Sequence, residues 1–192
     1  ADPKRDADIL KIHGFKPAPV YGSQLQTAAL PAAQPEADLV IEWKSVTETL
    51  SDGIEVELRK PVYRIENPNY GPLPEDLLVS PRVAPPMIGM GLLEAIPLED
   101  LQSLADPEDA DNDGLSGKLN QVWDLDSQQT VPGRFGWKAA EPNVHQQSMG
   151  AFAGDMGLTS TIKPATDCTP EQNCERFTNG GSPEVSDKVS NF

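Results

Sequence analysis

Basic residues are few. Fifteen Lys and Arg stand against 30 Asp and Glu, a net charge of −15 with pI near 4.4. That balance argues against nucleic acid and anionic membranes as partners and suits an extracytoplasmic protein in contact with calcium. Long apolar runs are missing, so no segment is built to span a membrane. Histidine and cysteine are scarce, with two of each. No G-x-S-x-G stretch presents a nucleophile, and "GMG" lies in an apolar run with no Lys-Ser/Thr after it. Hydrolase and nucleotide-binding readings therefore have no support. No signal peptide is visible and the first residue is Ala rather than Met, which is the expectation for a processed or excised piece.

Proline and glycine are plentiful, at 19 and 15 of 192 residues. This implies many turns, ordered loops and little regular structure. The expected architecture is α+β: one domain over 1–192 with a small antiparallel hairpin or sheet, several short helices and extensive loops. Residues 1–37 read as Pro- and Ala-rich, with an extended stretch pinned by Tyr21. "DLVIEWKSVTETL" and "IEVELRKPVYRI", joined by "SDG", read as a β hairpin over 38–65. Ile54, Val56 and Leu58 alternate with charged residues, the pattern of a half-buried pair, and Pro61 limits the second strand or sets it at an edge. Over 86–160 short helices and an acidic loop are expected. "MIGMGLLEAI" reads as a buried short helix, and "PLEDLQSLAD" as a helix with Leu98, Leu101 and Leu104 on one stripe. A third helix is expected from Pro142 to about Ala153, ending at Gly154. Near the end, Ser182 and Pro183 read as the N-cap and first residue of a helix that the chain cuts short. Cys168 and Cys174 in "DCTPEQNC" suit a small disulfide-closed loop in an oxidising compartment better than a metal site; two free thiols are the alternative.

The stretch "DPEDADNDGLSG" (106–117) crowds five carboxylates into eight residues before a glycine. Counted as a calcium loop, Asp109, Asp111 and Asp113 fall at positions one, three and five, Gly114 at six and the Leu115 carbonyl at seven. Asn120 stands at position twelve, where an EF-hand places a bidentate Glu. Either Asn120 or Asp124 is left to complete the shell. A structural calcium is the expectation, with a solvated acidic turn as the alternative; carboxylates at this spacing with no nucleophile nearby do not read as acid–base catalysts.

Four passages go beyond composition: "PVYGSQLQ" (19–26), "YGPLPEDLLVSPRVAPPMIGMGLLEAIP" (70–97), "DPEDADNDGLSGKLNQVWD" (106–124) and "GRFGWKAAEPNVHQQSMGAFAGDMGLTS" (133–160). In these the chain resembles the bacterial di-haem oxidoreductase family of thiol oxidoreductases or peroxidases, distant kin of di-haem cytochrome c peroxidases. Members of that family attach haem c through C-x-x-C-H, which this chain lacks. The resemblance therefore implies the region between two haem-attachment sites, with flanking haem domains of the same protein as partners, an electron-donor protein beyond them, and a periplasmic or secreted location. It also implies roles for particular residues. Trp123 or Trp137 is a candidate electron relay, core filling being the alternative for each. Met149 and Met156 are candidate axial ligands and His145 a candidate axial ligand or acid–base group, an exposed histidine being its alternative. His13 is a weaker candidate, while Met87 and Met90 read as packing. Arg134 and Lys138 are candidate haem-propionate contacts, surface salt bridges being the alternative. The second function considered is a stand-alone calcium-stabilised binding module without redox activity; the full protein, not this segment alone, is the expected enzyme.

Overall fold

The computed structural model describes residues 3–190 and is α+β. Among these residues the chain forms two compact units.

The unit of Ala18–Arg82 and Thr169–Asn173 is built on one hairpin. Strand β1 (Asp38–Thr49) pairs antiparallel with β2 (Glu55–Glu66), Trp43 facing Pro61 and Val46 facing Leu58. The pairing matches the alternation in the sequence, but the expected face is only partly covered, Val56 being half-buried with Val40, Val46 and Val62. Ile54 and Leu58 are exposed, as are Leu39, Ile41 and Trp43. Register explains part of this. Leu39, Ile41 and Trp43 share one face near the open end with their partners Ile65, Tyr63 and Pro61, whereas Val46, Val56 and Leu58 lie on the other near the turn, so the apolar residues are divided between the two faces of a two-stranded sheet. The packed part of the unit lies outside the sheet. Tyr21 is buried; its hydroxyl donates to the Gly71 carbonyl and accepts from the Tyr70 N–H at 3.3 Å. The buried Glu36 carboxylate accepts from the Gln26 N–H at 2.7 Å and from the Gln172 amide.

The other unit takes in the residues up to Pro17, Val83–Cys168 and those from Cys174 onward. Its elements are α1 (Pro3–His13), α2 (Met90–Glu94), α3 (Leu98–Ser103), the hairpin of β3 (Gln121–Asp124) with β4 (Gln129–Pro132), α4 (Val144–Met156), a 3₁₀ turn (Cys174–Arg176) and α5 (Asp187–Ser190). Cys168 and Cys174 are joined as a disulfide.

Three sequence expectations are corrected here. Helix α2 spans a single turn and buries only Met90, leaving Ile88 and Leu92 exposed: a helix this short offers one residue to the neighbour it meets, α4. Helix α4 begins after Pro142, because the Asn143 side chain accepts the Gln146 N–H at 2.7 Å as N-cap. It also runs through Gly154, since an interior glycine costs only about 1 kcal/mol, and stops at Gly157, which takes the left-handed φ of 69°. The last helix starts at Asp187, not Pro183. The Val185 N–H goes to the Thr159 carbonyl at 2.8 Å and the Glu184 N–H to Thr159 Oγ1 at 3.1 Å, so both are committed to an extended pairing. The N–H groups of Gly180 and Thr159 hold the Glu184 carboxyl below the usual carboxylate range.

Candidate functional site

The acidic loop closes on itself between α3 and β3. The Asp106 N–H donates to the Gly117 carbonyl at 3.0 Å, and the Asp106 carboxylate accepts the Ala110 N–H at 3.0 and 2.9 Å. Asp109, Asn112 and Gly114 take positive φ (51°, 59° and 85°), a conformation that short polar residues and glycine tolerate best. The Gly114 N–H then reaches Asp109 Oδ1 at 3.2 Å and the Asp113 N–H reaches Asp111 Oδ1 at 3.2 Å. This winding brings carboxylate oxygens of Asp106, Asp109 and Asp111 within 4.8 Å of one another. Each such pair of charges repels by roughly 1 kcal/mol in water and about 3–4 at an effective dielectric of 20. A hard cation among them would reverse the sign of that energy, and all-oxygen donors suit calcium.

The loop brings together Asp109 and Asp111 but sets the other sequence candidates elsewhere. Asp113 accepts the Leu115 N–H at 2.8 Å. Asn120 donates to the Lys138 and Ala139 carbonyls at 2.9 and 3.1 Å. Asp124 closes the β3–β4 turn, accepting from the Asp126 N–H at 3.0 Å and Ser127 Oγ at 2.7 Å. Sequence counting passed over Asp106 because it precedes position one; its place across from Gly117 is what turns it inward.

Behind the loop, Gln146 ties α4 to the β3–β4 hairpin. Its Oε1 accepts the Leu125 N–H at 2.8 Å, and its Nε2 donates to the Trp123 carbonyl at 3.1 Å and to Glu141 Oε2 at 2.8 Å. Gln146 is 4% exposed. Burial pushes the Glu141 carboxyl above its ordinary value, with Lys163 and the Gln146 amide pulling the other way. The folded chain therefore binds more proton than the unfolded one between the ordinary and the raised pKa, and stability falls as pH rises through that window. Glu141→Gln is expected to flatten that fall, read from melting temperatures between about pH 4 and 7. Sequence reading missed Glu141 and Gln146; their one trace is polar residues at the start of a helix whose next turn carries the buried Met149.

The remaining candidates are dispersed over this unit. Trp123 is half-buried with the Lys11 ammonium 3.7 Å from its ring centre. Trp137 is exposed and donates from Nε1 to the Val83 carbonyl at 2.6 Å. Arg134 is engaged by the α2 end, with Nη1 2.7 Å from the Ile96 carbonyl and 3.2 Å from that of Glu94; Lys138 is exposed. Met149 is fully buried and Met156 exposed. His145 Nδ1 lies 3.3 Å from Asp126 Oδ2, and its buried Nε2 has no partner among the described residues. Burial lowers the pKa of His13, helped by Lys163 and opposed by Asp167.

A cleft of about 410 Å³ is lined in part by Glu94, Asp124, Arg134 and Asn143. Each of these four already has an internal partner: Glu94 takes the Val144 N–H at 2.9 Å, Asn143 caps α4, and Asp124 and Arg134 are bonded as above. The cleft thus offers a ligand few unpaired polar groups. Covalent haem does not fit this chain's donors, since both cysteine sulfurs are held in one disulfide and neither cysteine is followed by histidine.

A family model described as "Di-haem oxidoreductase, putative peroxidase" matches residues 24–182. No curated protein and no solved structure gives a match.

Proposed function

Because the chain belongs to the di-haem oxidoreductase family, we propose that it forms the calcium-braced central region of a periplasmic or secreted di-haem c-type protein with peroxidase-like electron transfer. The observation that carries the reading is the family match itself, which takes in the acidic loop and the 133–160 passage together. The haems belong to flanking parts of the same protein, because this chain's sulfurs are committed to each other. Haem c supplies the redox chemistry there; this chain supplies shape, charge and buried polar groups.

The Asp106, Asp109 and Asp111 carboxylates are the core of the calcium site, with Asp113 and the Leu115 carbonyl of the same loop as further candidate ligands. Asn120 and Asp124 would have to leave the Lys138 and Ala139 carbonyls and the β3–β4 turn to join it. Calcium acts as a brace. It fixes the loop that feeds β3, and with it Trp123, whose carbonyl is held by Gln146. Trp123 is the better-supported relay residue of the two tryptophans for that reason, although the Lys11 ammonium above its ring works against this role by disfavouring loss of an electron from the indole. Lys138 is the propionate partner more open to solvent, Arg134 being occupied by carbonyls. Among the axial candidates, His145 has the free ring nitrogen, while Met149 and Met156 stand at the two extremes of burial. The disulfide supports an oxidising compartment, and the surplus of acidic residues favours a basic electron donor.

The test is an absorption spectrum and an intact mass of the protein from its native host. A c-type haem spectrum with a mass well above 20.7 kDa is expected. A haem-free protein of 20.7 kDa would favour the binding-module reading instead.

A further inference from the structure

The two outer edges of the β1–β2 hairpin are unlike each other. Pro61 lies opposite Trp43. Lacking an N–H, proline occupies a non-hydrogen-bonded pair and blunts the outer edge of β2. The Leu50 N–H bonds to the Ile54 carbonyl at 2.9 Å, which fixes the same phase from the turn. Even-numbered residues of β1 therefore bond to β2, while Leu39, Ile41, Trp43, Ser45 and Thr47 turn their N–H and C=O groups outward. Pairing runs residue for residue from Asp38 to Thr49, so no bulge bends this edge, and β1 contains no proline. Natural sheets seldom leave a long edge free of both proline and bulge, so the charged side chains Asp38, Glu42, Lys44 and Glu48 decide which strand can join this one. Its outward-phase side chains Leu39, Ile41 and Trp43 are exposed. On the opposite face Lys44 sits directly across from Lys60. Like charges so placed destabilise a pair, and among the described residues neither lysine forms an ion pair.

We infer that the open edge of β1 receives β1 of a second copy of this chain, antiparallel, about a two-fold axis at Trp43. Outward residues must pair with outward residues, which leaves few registers. Centring on Glu42 or Lys44 opposes each to itself, and centring on Ser45 sets Glu42 against Glu48. Centring on Trp43 sets Glu42 against Lys44 twice and pairs residues 38–48 of both copies. It keeps Leu39, Ile41 and Trp43 inside the new sheet, with only the outermost pair, Asp38 and Glu48, of like sign. Registers centred on Ile41 or Val46 also bring a carboxylate to Lys44, but the first ends at Lys44 and the second leaves Leu39 and Ile41 unpaired. In the Trp43 register each Lys44–Lys60 pair gains a facing carboxylate from the partner copy, Glu42, which Arg64 of its own chain also holds at 2.8 Å. The contact is isologous and closes at two copies. One strand pair is smaller than a standard interface of roughly 1,600 Å², so the dimer is weak.

Sedimentation equilibrium on the 192-residue chain in about 0.15 M salt tests this, over concentrations bracketing a dissociation constant on the order of micromolar to tens of micromolar. Wild type is expected to dimerise. Lys44→Glu and Glu42→Lys are each expected to weaken association at least about tenfold, because each opposes like charges twice. A mixture of the two variants is expected to associate again, since a strand acidic at both of these positions then faces a strand basic at both. Trp43→Cys adds a check independent of charge: paired across the axis at a Cα separation of about 5.5 Å, the new thiols fall within disulfide range, and oxidation is expected to give a covalent dimer. A wild-type monomer throughout overturns the inference. So does a Lys44→Glu variant that associates like wild type, a mixture that stays monomeric, or a Trp43→Cys chain that does not cross-link.

Discussion

Gly133→Ala is expected to be among the most damaging single substitutions in this chain. A Cβ at residue 133 would lie 1.8 Å from the Ala139 carbonyl oxygen, 2.9 Å from its carbon and 3.1 Å from Val122 Cγ1. Backbone cannot yield as a flexible side-chain tip does. The crowded point is also where the 133–141 segment crosses itself. The Gly133 N–H bonds to the Asn120 carbonyl at 2.8 Å, and the Arg134 and Phe135 N–H groups share the Glu141 carbonyl at 2.9 and 3.0 Å. Moving Ala139 away therefore breaks the bonds that Asn120 makes to the same turn. A loss of about 3–5 kcal/mol is expected, a large part of the 5–15 kcal/mol or so that holds an ordinary domain together. Urea unfolding measures it. Gly150→Ala is the control: its Cβ would meet Glu141 Oε1 at an ordinary 3.8 Å, and alanine is the better helix former by about 0.5–1 kcal/mol. If both alanines behave alike, the crossing at Gly133 is not as tight as described.

Gln146→Leu is expected to cost a comparable amount for a different reason. Leucine has similar bulk but no polar atoms. The Leu125 N–H and the Trp123 carbonyl would each lose a partner, and the Glu141 carboxylate would lose its amide donor. Each stranded buried group costs about 1–3 kcal/mol, so about 3–5 in all is expected once relaxation is allowed. The Glu141 carboxyl should rise further as its donor goes, which steepens the loss of stability with rising pH. One turn along α4, Met149→Leu is expected to cost under about 1.5 kcal/mol, since the swap conserves volume in a buried apolar site. Thermal melts of the two variants at matched pH distinguish a polar hub at Gln146 from generic packing of α4.

These two positions show where the sequence was readable and where it was not. Periodicity located the hairpin over 38–65, one residue short of its observed end at Glu66, because β-branched alternation around "SDG" is a local signal. Cysteine spacing located the disulfide, and the acidic loop declared itself by charge density. What escaped depends on partners distant in sequence. Gln146 and Glu141 look like ordinary helix-start polars until Trp123 and Leu125 are laid against them. Gly133 looks like any turn glycine until Ala139 crosses it. The alternation of Val56 and Leu58 was read correctly as a strand, which begins one residue after Ile54, but burial needs a second layer, which alternation does not specify. Helix ends shifted for the same kind of reason: Asn143 and Gly157 outcompeted Pro142 and Gly154 as boundaries, and Thr159 claimed the N–H groups that a helix at Pro183 would have needed.

The calcium brace is tested most directly by melting the chain in excess chelator, then after adding calcium back. Binding at one hundred times the dissociation constant adds about 2.7 kcal/mol, a rise of about 5–10 °C for a chain of this size. Asp109→Asn and Asp106→Asn are expected to abolish that rise, and in chelator to melt no lower than wild type, since each removes repulsion among carboxylates within 4.8 Å of one another. An unchanged melting temperature with and without calcium would rule out the brace and leave the loop a solvated acidic turn.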